Sequence, residues 1–108
     1  MTDSFLWIEE VKTTLPSLAA AEQLAAALVE NRHVACVQII GPIKSVYRWQ
    51  GVVNNETEFL ISCKTVASKL AALIDHIHAV HPYELPEILS TRWQATPAYA
   101  NWVSEQVC

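Results

Sequence analysis

The sequence has 108 residues, 52% of them hydrophobic and only 17% charged, with a formal net charge of −4. That size suits a single domain with one core, expected over residues 1–108. A nucleic-acid-binding role is not expected, because the basic residues form no stripe that would displace counterions. Membrane insertion is not expected either, because no apolar run approaches the span of a bilayer.

Phe5 to Thr13, aromatic and β-branched, predicts a first strand. Pro16-Ser17 opens a helix with Ser17 as its cap. Leu18, Ala21, Leu24, Ala25 and Leu28 form its apolar face, and Asn31 stops it. From Val34 to Val53 the chain is again β-branched and apolar, interrupted at Gly41-Pro42. Asn54-Asn55 suits a two-residue hairpin turn, since asparagine tolerates positive φ, and Thr57 to Thr65 returns as the partner strand. A second helix is expected over Ser68 to Val80, with Leu70, Leu73, Ile74 and Ile77 on one face. Pro82 ends it and pushes His81 into an extended conformation. Glu87 to Trp93 is a short last strand. Thr96-Pro97 then starts a final helix carrying Tyr99, Trp102 and Val103 on one side.

This order predicts an α+β, ferredoxin-like βαββαβ fold with an extra C-terminal helix, the helices on one face of an antiparallel sheet. The second and third strands make a long protruding hairpin. Ile43–Val53 against Glu56–Val66 is about ten residues per arm, some 33 Å at normal strand rise. The helices cannot cover that length. Tyr47, Trp49, Val52 and Val53 would leave apolar surface and open strand edges in water, so self-association is expected. Cys36, Cys63 and Cys108 are odd in number and scattered, which suits free thiols in a reducing compartment. Met1-Thr2-Asp3-Ser4 lacks the basic start of a secretory signal, and the expected location is cytoplasmic.

His81-Pro82-Tyr83, followed by Pro86-Glu87, is the most distinctive stretch. Two prolines fix the backbone, so an imidazole, a phenol and the carboxylates of Glu84 and Glu87 would be held in place to bind a cation or move protons. The same residues also suit a rigid loop in which His81 and Tyr83 only satisfy backbone. His76 and His78 lie about 200° apart round a helix and cannot share an ion. His33, near a helix end, reads as a surface or dipole partner. Cys63 reads as a small apolar residue. Lys64 could hold an anion or pair with Glu58, or simply be solvated. No nucleophile–base pair can be placed, and no enzyme is expected.

Ala35-Cys36-Val37, Gly41-Pro42, Ser45-Val46-Tyr47-Arg48-Trp49-Gln50-Gly51, Glu58, Lys64-Thr65, His81-Pro82-Tyr83-Glu84, Pro86-Glu87-Ile88 and Tyr99-Ala100-Asn101-Trp102, in this order, resemble the CutA family of divalent-cation tolerance proteins. The resemblance implies a homotrimer similar in architecture to the nitrogen-regulatory PII proteins. It also implies a role in tolerance of copper and other divalent ions, without an organic cofactor. A site is then expected in the cleft between subunits. His81, Glu87 and Cys36 would be the metal ligands, for Cu(II) or another divalent cation, and Trp49, Glu58, Lys64, Tyr83 and Trp102 would line the cleft. Thr13 stands where some relatives carry cysteine. Two other readings stay open: a PII-like module holding a small anionic ligand on Lys64 and Arg48, and a structural trimer in which Trp49, Trp102 and Tyr83 only pack.

Overall fold

The computed structural model describes residues 4–108. Met1, Thr2 and Asp3, which bear on the expected absence of a secretory signal, lie outside the described residues. The elements run β1 (Leu6–Leu15), α1 (Leu18–Glu30), β2 (Cys36–Trp49), β3 (Val52–Thr65), α2 (Ala67–Val80), β4 (Ile88–Ala95) and α3 (Pro97–Val107). They form the expected α+β arrangement, a four-stranded sheet of order β2-β3-β1-β4 in which every neighbouring pair is antiparallel.

Alternation along the strands decides which side meets the helices. Val11, Leu15, Ile61 and Cys63 point to one face, where Ala21 and Leu28 of α1 and Leu73 and Ile77 of α2 close a core around them. The intervening positions face the other way. There Ile8 packs with Ala35 and with Ala100, Val103 and Val107 of α3. Thus α3 covers one end of the second face rather than joining the other helices, and it buries Ala100, Val103 and Val107 while Tyr99 and Trp102 stay exposed.

Local signals set the helix ends. The Ser17 side chain accepts from the Ala20 N–H at 3.1 Å. Past Asn31, Arg32 takes φ 59°, and the Arg32 and His33 N–H groups bond to the carbonyls of Val29 and Leu28 at 3.1 and 3.0 Å. This is a Schellman closure with a non-glycine residue at its left-handed position. His81 is extended, at φ −67° and ψ 137°, just before Pro82.

The hairpin turn differs from the expected one. Trp49 pairs with Val52, and the two residues between them, Gln50 and Gly51, have φ 51° and 79°. Positive φ at both central positions is what a tight hairpin turn of this twist requires. Asn54 and Asn55 lie within β3, opposite Tyr47 and Val46. The register breaks once, between Ile40 and Ile43, where Gly41 comes so near the facing strand that a Cβ would lie 2.6 Å from the Phe59 ring.

The hairpin gives the chain an elongated form of 54 × 28 × 22 Å with a radius of gyration of 15.1 Å, against about 13 Å for a compact chain of this length. No helix among the described residues covers its outer part. Val46, Val52 and Val53 are 67%, 61% and 60% exposed.

Candidate functional site

The outer arm of the hairpin, from Ser45 to Trp49 and from Glu56 to Glu58, and the segment from Pro82 to Glu87 border an open groove of about 890 Å³. Three aromatic side chains line it (Tyr47, Trp49 and Tyr83), with the carboxylates of Glu56, Glu58, Glu84 and Glu87 and a single cation, Arg48. Glu56 and Glu58 reach the same side because they are two residues apart on β3.

Glu58 is buried. Its carboxylate accepts from the Tyr83 hydroxyl at 2.8 Å. Burial pushes the Glu58 carboxyl up, but hydrogen bonds from Ser45, Tyr83 and Thr14 and the nearby His81 outweigh it and hold the group below the usual carboxylate range. Burial, followed by the hydrogen bond to Glu58 and then the Glu58 charge, raises the Tyr83 phenol well above its ordinary value. The pair is therefore a fixed carboxylate and a neutral phenol across ordinary pH.

His81 stands behind this pair. Its Nε2–H points at the Thr14 carbonyl, 2.9 Å away, with the Thr13 hydroxyl at 3.0 Å. Its Nδ1 accepts from the Tyr83 N–H at 3.1 Å. Both ring nitrogens are occupied, and the acceptor role of Nδ1 requires the neutral ring. Burial lowers the His81 pKa accordingly, against the opposing pull of Thr14 and Glu58. In this geometry His81 offers no lone pair to an ion, and it acts as the brace that sets Tyr83. Thr13, at the position where a cysteine was considered, supplies a hydroxyl to that brace.

The other expected site residues gather elsewhere. Cys36 and Lys64 are rung partners, and Lys64 in turn faces Glu10. His81 binds further along β1, at Thr13 and Thr14, so His81, Glu87 and Cys36 do not converge within one chain. The Cys36 thiol meets the Tyr99 hydroxyl at 3.5 Å, and Tyr99 stacks on Trp102 with ring centroids 5.8 Å apart. Burial and the Cys36 contact push the Tyr99 phenol up to about 12. Lys64 does not pair with Glu58. Its ammonium donates to Ser62 at 2.8 Å and Gln38 at 3.0 Å and lies 3.9 Å from Glu10.

Glu10 is the site residue that the sequence did not disclose. Buried on the open sheet face, it accepts from Ser62 and from the Trp93 indole at 2.7 Å. Burial raises its pKa, but Ser62, Trp93, Lys12 and Lys64 together lower it below the usual range. The one available signal was a pair of glutamates between the apolar Leu6-Trp7-Ile8 and Val11 of the first strand. Cys63, by contrast, is fully buried, and burial pushes its thiol up to about 12, which makes it an inert packing residue.

Among the described residues, no three histidine, cysteine, aspartate or glutamate side chains come together to hold a metal ion. One chain therefore presents oxygen donors along the groove without a complete coordination set.

A four-stranded antiparallel sheet with a long hairpin, an acidic aromatic groove beside that hairpin and a helix closing one end of the second face defines the ferredoxin-like α+β class expected from the sequence pattern. The particular family is shown by direct comparison: the CutA1 divalent ion tolerance protein profile matches residues 10–106, and the chain belongs to that family. It is 40% identical over 95 residues to the Protein CutA homolog of Xenopus laevis, covering 87% of this chain and 63% of that protein. The Divalent-cation tolerance protein CutA of Thermus thermophilus is 39% identical over 98 residues, covering 90% and 95%. The chain thus spans less than two thirds of the frog relative and nearly all of the bacterial one. Among solved structures, CutA from Synechococcus elongatus superposes with a TM-score of 0.91 at 38% identity, covering 99% of this chain and 100% of that one. A protein from Nostoc described as PII-like protein CutA gives 0.87 at 31% identity, covering 93% and 97%. No helix among the described residues is long and apolar enough to cross a membrane.

Proposed function

We propose that this protein is a cytoplasmic homotrimer that binds divalent cations in metal homeostasis, Cu(II) being the first ion to test, and that it has a binding role rather than an enzymatic one. Family membership supports the cation. The observation that carries the site is the hairpin groove, where Glu56, Glu58, Glu84 and Glu87 face one arginine. Such a donor set suits a divalent ion of modest affinity, held by carboxylates and water. Glu56, Glu84 and Glu87, all exposed, are the free carboxylates, whereas Glu58 is committed to Tyr83. The set is completed between copies. Exposed Ile40, Val46, Val52, Val53, Leu89 and Trp93, together with the open edges of β2 and β4, support a trimer whose neighbour brings its Cys36, Lys64 and Trp102 end to the groove.

Calorimetric titration of Cu(II) into the intact protein tests this. Glu87→Gln should weaken binding by about tenfold, the loss of one charged ligand, while His81→Asn should act mainly through stability. Equal affinity in wild type and Glu87→Gln, with Glu84→Gln also unchanged, would remove the groove as the site.

A second reading rests on Tyr47, Trp49 and Tyr83 beside Arg48. A groove of about 890 Å³ falls within the range of small-molecule pockets, and the Nostoc neighbour is described as PII-like. A small anionic ligand would then raise the melting temperature by ordinary linkage. A metabolite and nucleotide screen in which none shifts the melting temperature would remove it.

A further inference from the structure

The fold brings together two histidines that lie far apart in the sequence and outside the groove. The rings of His33 and His76 have centroids 4.6 Å apart and planes inclined by only 19°. Each ring sits on a fixed backbone. The His33 N–H closes the end of α1 on the Leu28 carbonyl at 3.0 Å, and the His33 carbonyl accepts from buried Thr65 Oγ1 at 2.9 Å. His76 belongs to α2, next to fully buried Ile77. The rings cannot separate unless a side chain rotates or the end of α1 shifts.

The contact is intolerant of a second charge. Burial lowers the His33 pKa, and His76 and Lys69 lower it further. Lys69 comes from α2, like His76. The adjacent carboxylates on the two helices, Glu30 and Asp75, are exposed, and the charges acting on His33 are the cationic ones. Near-parallel planes also keep the in-plane lone pairs of the two imidazoles from converging on one point, so the pair is a poor chelate.

We propose that His33 and His76 form an acid-sensitive fastener between the end of α1 and α2, which holds at most one proton while closed and opens when a second is forced on. Two imidazoles this close titrate as a unit, the second proton entering at a lower pH than either would alone. The turn it secures leads directly to Ala35, whose N–H bonds to the Lys64 carbonyl at 2.8 Å, and so to the start of β2 at Cys36. Opening in acid would loosen the Cys36 and Lys64 end of the molecule and leave the hairpin groove in place. This goes beyond the cation-binding reading and does not depend on it.

Imidazole NMR of the full-length protein between pH 8 and 4, with a chelator present, provides the test. The His33 ring should titrate below the ordinary histidine range. His76→Gln should raise its midpoint by about one pH unit, a tenfold change in proton affinity. Amide protection factors at Arg32 and His33 should fall between pH 7 and 5 in the wild type and lose that pH dependence in His76→Gln. His81 also titrates in acid but is intact in the variant, so the difference isolates the pair. Two rings titrating independently at ordinary values, each indifferent to replacement of the other, would overturn the proposal. If His76→Gln does not fold, the wild-type titration and the reciprocal His33→Gln variant still decide it.

Discussion

The body and the hairpin arm are made from the same two strands, yet they are solved differently. Towards the ends of β3, Ile61 and Cys63 are sealed under α1 and α2, whereas Val52 and Val53, ten residues earlier, face water. The body has completed its packing within one chain. The arm has only its ladder of hydrogen bonds and one turn, and its apolar side chains are unspent. The difference separates the region that packs within one chain from the region left exposed, and the proposed association falls on the arm and the open sheet face.

The largest effect on stability should come from the body. Leu73→Ala removes a fully buried side chain of α2 and should cost about 2–5 kcal/mol, read by denaturant unfolding. In the arm, Trp49→Ala should alter the unfolding free energy of a dissociated chain by less than about 0.5 kcal/mol. It should weaken association by about 2 kcal/mol, as expected of an aromatic anchor and measured by sedimentation equilibrium. A large loss of monomer stability with unchanged association would reverse the assignment of roles.

The groove lies at the junction of the two regions, and Tyr83→Phe tests it. Removal of the phenol leaves the buried Glu58 carboxylate one donor short, at a cost of about 1–3 kcal/mol, and should raise the Glu58 pKa in an NMR titration. Unfolding against pH then separates the contributors. His81 and His33 have pKa values lowered from 6.5, so the unfolded chain binds their protons more readily and stability declines as pH falls below about 6.5. Glu58 and Glu10 are lowered from 4.5. Their stabilisation is complete above that pH and is lost as the pH falls through their folded values. Acid unfolding should therefore proceed in two stages. His81→Asn should reduce the first stage and change the second only through the smaller His81 contribution to Glu58.

The smallest effect is at the tip. Gly51 sits at φ 79° with nothing within 4 Å of an added Cβ, so Gly51→Ala should cost about 1 kcal/mol from backbone strain alone. Asn55→Ala, at the position that the sequence suggested as the turn, should cost less.

That last contrast shows what the sequence could and could not disclose. Ser17, Asn31, Pro82 and Pro97 mark helix ends through interactions with their own neighbours, so they were readable locally. Asn54-Asn55 tolerates positive φ at both positions and Gln50-Gly51 at its glycine, and the pairing of Trp49 with Val52 across the whole hairpin selects the second. The groove was readable in part: Tyr83, Glu58 and Glu87 were named, and they line it. The direction of the His81 ring was not, because it is fixed by Thr13 and Thr14 on a distant strand. Glu10 was missed for the same reason, its partners Ser62 and Trp93 arriving from β3 and β4. Contacts within a turn are written in the local sequence; contacts across the sheet depend on register.

The most direct test of the division between body and arm is the mass of the purified, tag-free protein in solution, measured by native mass spectrometry over a range of concentrations. The account predicts an assembly of three 12.0 kDa chains that dissociates in Trp49→Ala while each chain stays folded. A wild-type protein that remains a folded monomer at all concentrations would contradict it, because the apolar arm would then be stable in water without a partner.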